Sequence, residues 1–231
     1  MPSYKWVIEA LIRASEHPNE GPRRGARPWI IAAVALALAL AVAMLVRKGG
    51  DRAGVEAAIL WTGRLAFAFF WPSYVGGALT TLFGRPFQGL KALGRSLGLG
   101  FAAVIGVHLS LVAWLCWMGH PPPVLTFLVF GIAAAWVFAL AACSMEQVSR
   151  WVGPAGWWVL RNIGMNYIAF VFAFDFVRID PTFTPLKAAE YFPLAALSVL
   201  GPTLRLLAWL TRLLRAGAGD GPVAPRDWVA R

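Results

Sequence analysis

Residues 29–46 run for 18 positions without a charged side chain, nearly all Ala, Val, Leu and Ile. A helix needs about 20 such residues to cross a ~30 Å hydrocarbon layer. Five further apolar runs follow, at about 57–83, 96–118, 124–144, 155–177 and 188–210. Lipid offers the backbone no hydrogen-bonding partner, so a run this long must satisfy its own peptide groups, and an α-helix does so. The expected fold class is all-α: a polytopic membrane protein built as a six-transmembrane-helix bundle. Composition agrees, with 59% hydrophobic and 14% charged residues, where a soluble domain carries roughly 25% charged. This excludes a disordered chain, a disulfide-rich module and an ordinary soluble enzyme.

The formal net charge is +10. The basic residues flank the apolar runs, so they read as topology signals and lipid-phosphate contacts, with membrane lipid as partner and no nucleic acid. With the N-terminus inside, the inner segments hold 13 Lys and Arg and the outer segments 5. Both termini are therefore expected in the cytoplasm, as in a protein of a bacterial inner membrane. Residues 1–28 read as a retained cytoplasmic tail, with a short amphipathic helix at 4–14 and a Pro/Gly connector at 21–28. The bundle takes 29–210, and 211–231 reads as a basic, flexible tail. Pro72 predicts a kink in the second span, and His120-Pro121-Pro122-Pro123 a tight turn. Trp29, Trp61, Trp117, Trp151, Trp157, Trp158 and Trp209 fall near span ends, where aromatic belts lie. Cys116 and Cys143 are isolated within apolar runs and form no CxxC pair.

Polar residues inside hydrocarbon are costly, and each needs a reason. The candidates are Arg64, His108, Arg161, Asn162, Asn166, Asp175, Glu190 and Arg205. His108 lies mid-span and suits an axial haem ligand or a proton relay, or else a buried imidazole hydrogen-bonded to a neighbouring helix. Gly98, Ala102, Gly106 and Ser110 form a small-residue row on the same helix, expected to pack tightly on a face away from His108. Asn162 and Asn166 share a face. Asp175 and Arg178 read as an interfacial pair, and Glu190 and Arg205 as interfacial residues near opposite ends of span six. Arg64, about two turns into span two, and Arg161 read as contacts for a lipid phosphate or a small anion.

Three segments resemble the ferric reductase-like transmembrane domain: Trp61-Thr62-Gly63-Arg64-Leu65-Ala66, Arg95-Ser96-Leu97-Gly98-Leu99 running to His108-Leu109, and Leu140 through Trp151, Gly153 and Trp157 to Leu160-Arg161-Asn162-Ile163-Gly164-Met165-Asn166-Tyr167. That group includes the haem-binding membrane subunit of a periplasmic methionine sulfoxide reductase system. The resemblance covers roughly 57–178. It implies a b-type haem between helices, with axial histidines from spans three and five, and electron transfer across the membrane to a redox partner protein. His108 falls on the third-span histidine. The fifth-span Leu-His reads Leu160-Arg161 here, and the next histidine position falls near Phe174-Asp175. No appended flavin domain is expected, and whether a flavin sits on the inner face is left open. Two readings follow. In one, haem b at His108 carries electrons. In the other, a haem-free relative is a membrane scaffold or partner subunit, or binds a lipid or small anionic ligand through Arg64 and Arg161. A transporter is disfavoured, because no repeat or pair of broken spans is present.

Overall fold

The computed structural model describes residues 25–177 and 185–217. The expected helix at 4–14, Arg178 and the tail beyond 217 lie outside them. Six α-helices follow in order: α1 (Ala26–Lys48), α2 (Arg52–Phe83), α3 (Gln88–Trp117), α4 (Val124–Cys143), α5 (Glu146–Val177) and α6 (Pro185–Gly217), with a 3-10 turn at Arg85–Phe87. Among the described residues every regular element is helical. Five of the helices, all but α5, are long and apolar enough to cross a membrane. Arg161, Asn162, Asn166 and Asp175 make α5 less apolar. Helix ends extend past the apolar runs: α1 starts at Ala26, inside the expected N-terminal tail, and α6 continues to Gly217, inside the expected C-terminal one. The residues added to α6 include Leu and Arg, which favour helix.

The α1–α2 connection is three residues long. Gly49 closes α1 at φ +99°, and Asp51 caps α2 by accepting from the Gly54 backbone N–H at 3.1 Å. The proline turn after α3 ends in Pro123, which precedes the first residue of α4. Gly153, at φ +68°, breaks α5 into a short leading segment and the long helix that ends at Val177. That break coincides with the expected start of the fifth span.

Interhelical contacts give the helix directions. His108 of α3 meets Thr62 of α2, while Gly94 meets Ser73, so α2 and α3 are antiparallel. Tyr167 of α5 reaches Val129 of α4 and Gly164 lies against Trp136, so these two are also antiparallel. Trp71 of α2 donates to the Leu197 carbonyl of α6 and Tyr74 lies against Gly201, so α2 and α6 run parallel. Pro202 has no N–H for the Ser198 carbonyl one turn earlier, and Trp71 meets the carbonyl next to it.

The core centres on α2. Phe67, Phe70 and Tyr74 point from it toward Phe101 of α3 and Phe172 and Phe176 of α5, with ring centroids 5.0–5.3 Å apart along the main chain of contacts. The aromatic rings fill the gap between α2 and α5. In lipid such packing contributes through dispersion and shape, since the alternative environment is equally apolar. Against this core α1 buries only Ala33, Ala37 and Ala41, and a Cβ at Gly100 would sit 3.5 Å from Ala33 Cβ. The outer faces of α1 and α4 expose Ile31, Val42, Leu125, Leu128 and Ile132, as lipid-facing helices do.

The expected tight row on α3 holds over its first half only. A Cβ at Gly98 would touch Ser73 Oγ at 3.4 Å and Ala102 is buried in the core, but Gly106 meets open space and Ser110 is exposed. Steps of four residues advance about 40° beyond a full turn, so the row rotates about 120° between Gly98 and Ser110. The imidazole face packs closely instead.

Candidate functional site

His108 is half-buried on the side of α3 that faces α2. Its Nδ1 lies 3.1 Å from Thr62 Oγ1. The Thr62 hydroxyl hydrogen goes to the helix carbonyls of Ala58 at 2.8 Å and Ile59 at 3.1 Å. The Thr62 oxygen therefore accepts from Nδ1–H, which assigns the tautomer with an unprotonated Nε2. A Cβ added at Gly63 would lie 3.5 Å from His108 Cε1, so the glycine lets the ring rest on the α2 backbone. The geometry is that of an imidazole pinned between two helices, the structural alternative raised by the sequence.

These residues do not fit a haem ligated from spans three and five. His108 turns its Nδ1 edge toward α2. Phe101 and Phe172 occupy space between α3 and α5, with centroids 6.1 Å apart. At the fifth-span positions stand Arg161 and Phe174-Asp175, and a guanidinium stays protonated and does not ligate iron. His120 sits beyond the end of α3, twelve positions from His108. Among the described residues no cluster of three His, Cys, Asp or Glu could hold a metal.

The Thr62–His108 contact has a measurable consequence. Thr62→Val keeps the shape and removes the oxygen, leaving the imidazole only its hydrogen bond to the Ile59 backbone. The expected loss is about 0.5–1.5 kcal/mol of stability, read as a lower melting temperature in detergent, whereas Thr62→Ser should stay near wild type. Equal melting temperatures for all three would mean that the contact carries no energy.

Arg64 leaves α2 on a different face. Its side chain is only 11% exposed, and the guanidinium lies between two rings, 4.9 Å from the centroid of Trp61 and 4.9 Å from that of Tyr191 on α6. Glu190 Oε2 is 3.6 Å from Nη2, too far for a hydrogen bond, and the Glu190 side chain is 56% exposed. Arg64 Nε and Nη2 are buried and make no hydrogen bond. These two nitrogens share one edge of the guanidinium plane, the edge that grips two oxygens of a carboxylate or phosphate in parallel. Because α2 begins at Arg52, Arg64 lies more than three turns from its start, deeper than the apolar run suggests.

A second polar group lies nearer the other end of α2. Arg205 of α6 stacks on Tyr74 at 4.5 Å and donates to Asn162 Oδ1 at 2.9 Å. The Tyr74 hydroxyl donates to Asn166 Oδ1 at 2.8 Å. Both asparagines therefore serve the α2–α5–α6 seam, as their shared face predicted. Arg212 donates to Thr81 Oγ1 further along. Arg205 is a contact within the bundle rather than a loose interfacial charge, whereas Glu190 is exposed and only loosely paired with Arg64. Arg161 is exposed beside Asn162, within electrostatic reach of Arg205.

The structure brings Arg64 together with Glu190, and Arg161 with Asn162 and Arg205. It keeps His108 apart, on the α2–α3 face. Sequence reasoning assigned no individual role to Thr62, Tyr74 or Tyr191, and Trp61 entered as a belt residue and, with Thr62, as part of a resemblance segment. The Trp61–Arg64 spacing of three on one helix face was the one available signal. The chain matches no protein-family model, no curated protein and no solved structure.

Proposed function

We propose that this helical, membrane-compatible protein crosses the bilayer six times with both termini in the cytoplasm, and that it binds an anionic group, carboxylate or phosphate, at Arg64. Three lines support the crossing number. α2 and α6 are parallel with three helices between them, as alternating crossings require. The helix after Gly153 extends for about 35 Å. The polar contacts of Ser73, Tyr74, Asn162, Arg205 and Arg95, which donates to the Ser144 carbonyl, lie at one level across α2 to α6. From that level α2 and α3 each run about 33 Å to their other ends, close to the hydrocarbon thickness. Arg64 then sits near mid-depth.

The observation that carries the binding proposal is the paired, buried and unsatisfied Nε and Nη2 edge. An arginine at mid-membrane without an acceptor is expensive, and such residues mark functional sites. Trp61 is 41% exposed on one side of it, which leaves a lateral path from the lipid for an anion with an apolar tail. Glu190 stands close enough to compete for the guanidinium.

Thermal stabilisation of the protein in a neutral maltoside detergent tests this reading. Laurate and dodecyl phosphate should raise the melting temperature, and dodecanol should not. Acetate acting alone would assign a water-borne source to the same anion. Arg64→Gln should weaken binding about tenfold to a hundredfold, the worth of a charge-assisted bidentate contact. Glu190→Gln should tighten it by removing the competitor. Stabilisation that survives in Arg64→Gln, or no response to any anion, would reject the site.

A further inference from the structure

The level of Tyr74 and Arg205 carries features that the Arg64 site does not use. Asn162 fixes Arg205 from one side and the Tyr74 ring supports it from below, so the guanidinium is held in place before any ligand arrives. Asn162 is itself oriented by donating from Nδ2 to the Trp158 carbonyl at 3.1 Å. Its chain neighbour Arg161 is exposed at the bundle surface. Among the described residues Arg161 has no carboxylate partner, and the charge within its electrostatic reach is a second cation, Arg205. Two like charges set beside an apolar medium repel each other and lose hydration, and an anion between them reverses both effects.

Two tryptophans locate this pair. Trp158, one turn before Arg161 and Asn162 on α5, is 46% exposed, and Trp209, one turn beyond Arg205 on α6, is 49% exposed. Indoles collect at the boundary between hydrocarbon and headgroups. Lipid phosphates lie at the same depth.

We infer that Arg161 and Arg205, on the adjoining faces of α5 and α6, form a phosphate-binding site at the membrane boundary that takes the headgroup phosphate of an anionic lipid. Arg205 is the preorganised donor, held by Asn162 and Tyr74. Arg161 closes over the phosphate from the lipid side. The leaflet follows from the orientation proposed above and would be the inner one. The site itself is separate from Arg64.

Native mass spectrometry of the full chain in maltoside, offered equal phosphatidylglycerol and phosphatidylcholine, reads the preference directly. The wild type should retain phosphatidylglycerol over phosphatidylcholine. Arg161→Gln changes an exposed side chain and leaves the Arg205 contacts intact, so it should fold. It should lower the preference about fivefold, the contribution of one basic residue at an anionic surface. Arg161→Lys should restore most of it. Inorganic phosphate that displaces the lipid at millimolar concentration would support the same site with a free-phosphate source. Equal retention of the two lipids by the wild type or an unchanged preference in Arg161→Gln would each overturn the inference.

Discussion

Replacing Arg64 by Met should make the protein more stable while abolishing the anion binding proposed for it. The wild-type guanidinium is held in the α2–α6 seam with Nε and Nη2 unsatisfied and its nearest carboxylate 3.6 Å away. Moving an arginine to the centre of a membrane span costs on the order of 2.5–3.5 kcal/mol on insertion scales. Against this stand two cation–π contacts, each worth about 0.5–2 kcal/mol, and a loose pairing with an exposed Glu190, which adds little. Methionine fills the same channel and keeps favourable sulfur contacts with the two rings. Replacing poorly paired buried charge by apolar side chains often stabilises by about 1–4 kcal/mol. A gain of 1–2 kcal/mol corresponds to a rise of roughly 2–8 °C in melting temperature for a chain of this size. Arg205→Met should behave in the opposite way. It removes the donor to Asn162 Oδ1 and the cation over Tyr74, and leaves a half-buried amide oxygen unpaired. A lower melting temperature for Arg64→Met would show that an acceptor already satisfies Arg64 and that its edge is not open to a ligand.

The contrast between the two arginines shows what the sequence discloses and what it withholds. The helices were readable because lipid imposes a local rule: about 20 apolar residues, bounded by charge. All six apolar runs coincide with helices, and Gly153 breaks α5 where the fifth run was expected to begin. Asn162 and Asn166 were readable as a shared face because four residues make about one turn. Whether a charge in such a helix is satisfied is a different kind of property. Arg64 and Arg205 look alike in sequence, each a lone cation in an apolar run. Arg205 finds Asn162 and Tyr74, residues separated from it by 43 and 131 positions, whereas Arg64 finds two rings and a carboxylate just out of reach. The same non-local geometry gave His108 its meaning. The imidazole at mid-span suited a haem ligand or proton relay less well than a buried residue hydrogen-bonded to a neighbouring helix, and the α2 partner, Thr62, gives that second reading its geometry. Small-residue spacing on α3 held for Gly98 and Ala102 and failed at Gly106 and Ser110, because the four-residue row drifts around the helix. On α1 only three alanines, Ala33, Ala37 and Ala41, need to be buried, and the same drift is tolerable over that shorter stretch.

Among the described glycines, Gly54→Ala should be the most damaging added methyl. A Cβ at position 54 would lie 1.7 Å from the carbonyl oxygen of Gly49 and 2.8 Å from its carbon. Those atoms belong to the backbone that closes α1, so no rotamer change relieves the overlap. The α1–α2 connection would have to open. Opening it breaks the Asp51 cap, which rests on the Gly54 N–H at 3.1 Å and contributes about 0.5–2 kcal/mol. It also shifts Gly49 out of the left-handed conformation that ends α1. The larger effect is leverage. α1 holds the bundle through an alanine stripe with no large side chains, so a displacement of an ångström at its end withdraws Ala41 from Ala58 and Leu111. Dispersion falls steeply over that distance, and lipid offers no hydrophobic force to pull the helix back. The expected loss exceeds about 3 kcal/mol, in the range of severe core substitutions, and appears as aggregation on extraction or a melting temperature lowered by 6 °C or more. Gly50→Ala supplies the control. Position 50 meets nothing within 4 Å of a built Cβ and lies in the same connection. If Gly54→Ala and Gly50→Ala melt alike, the close approach of Gly54 to Gly49 is not what holds α1 in place.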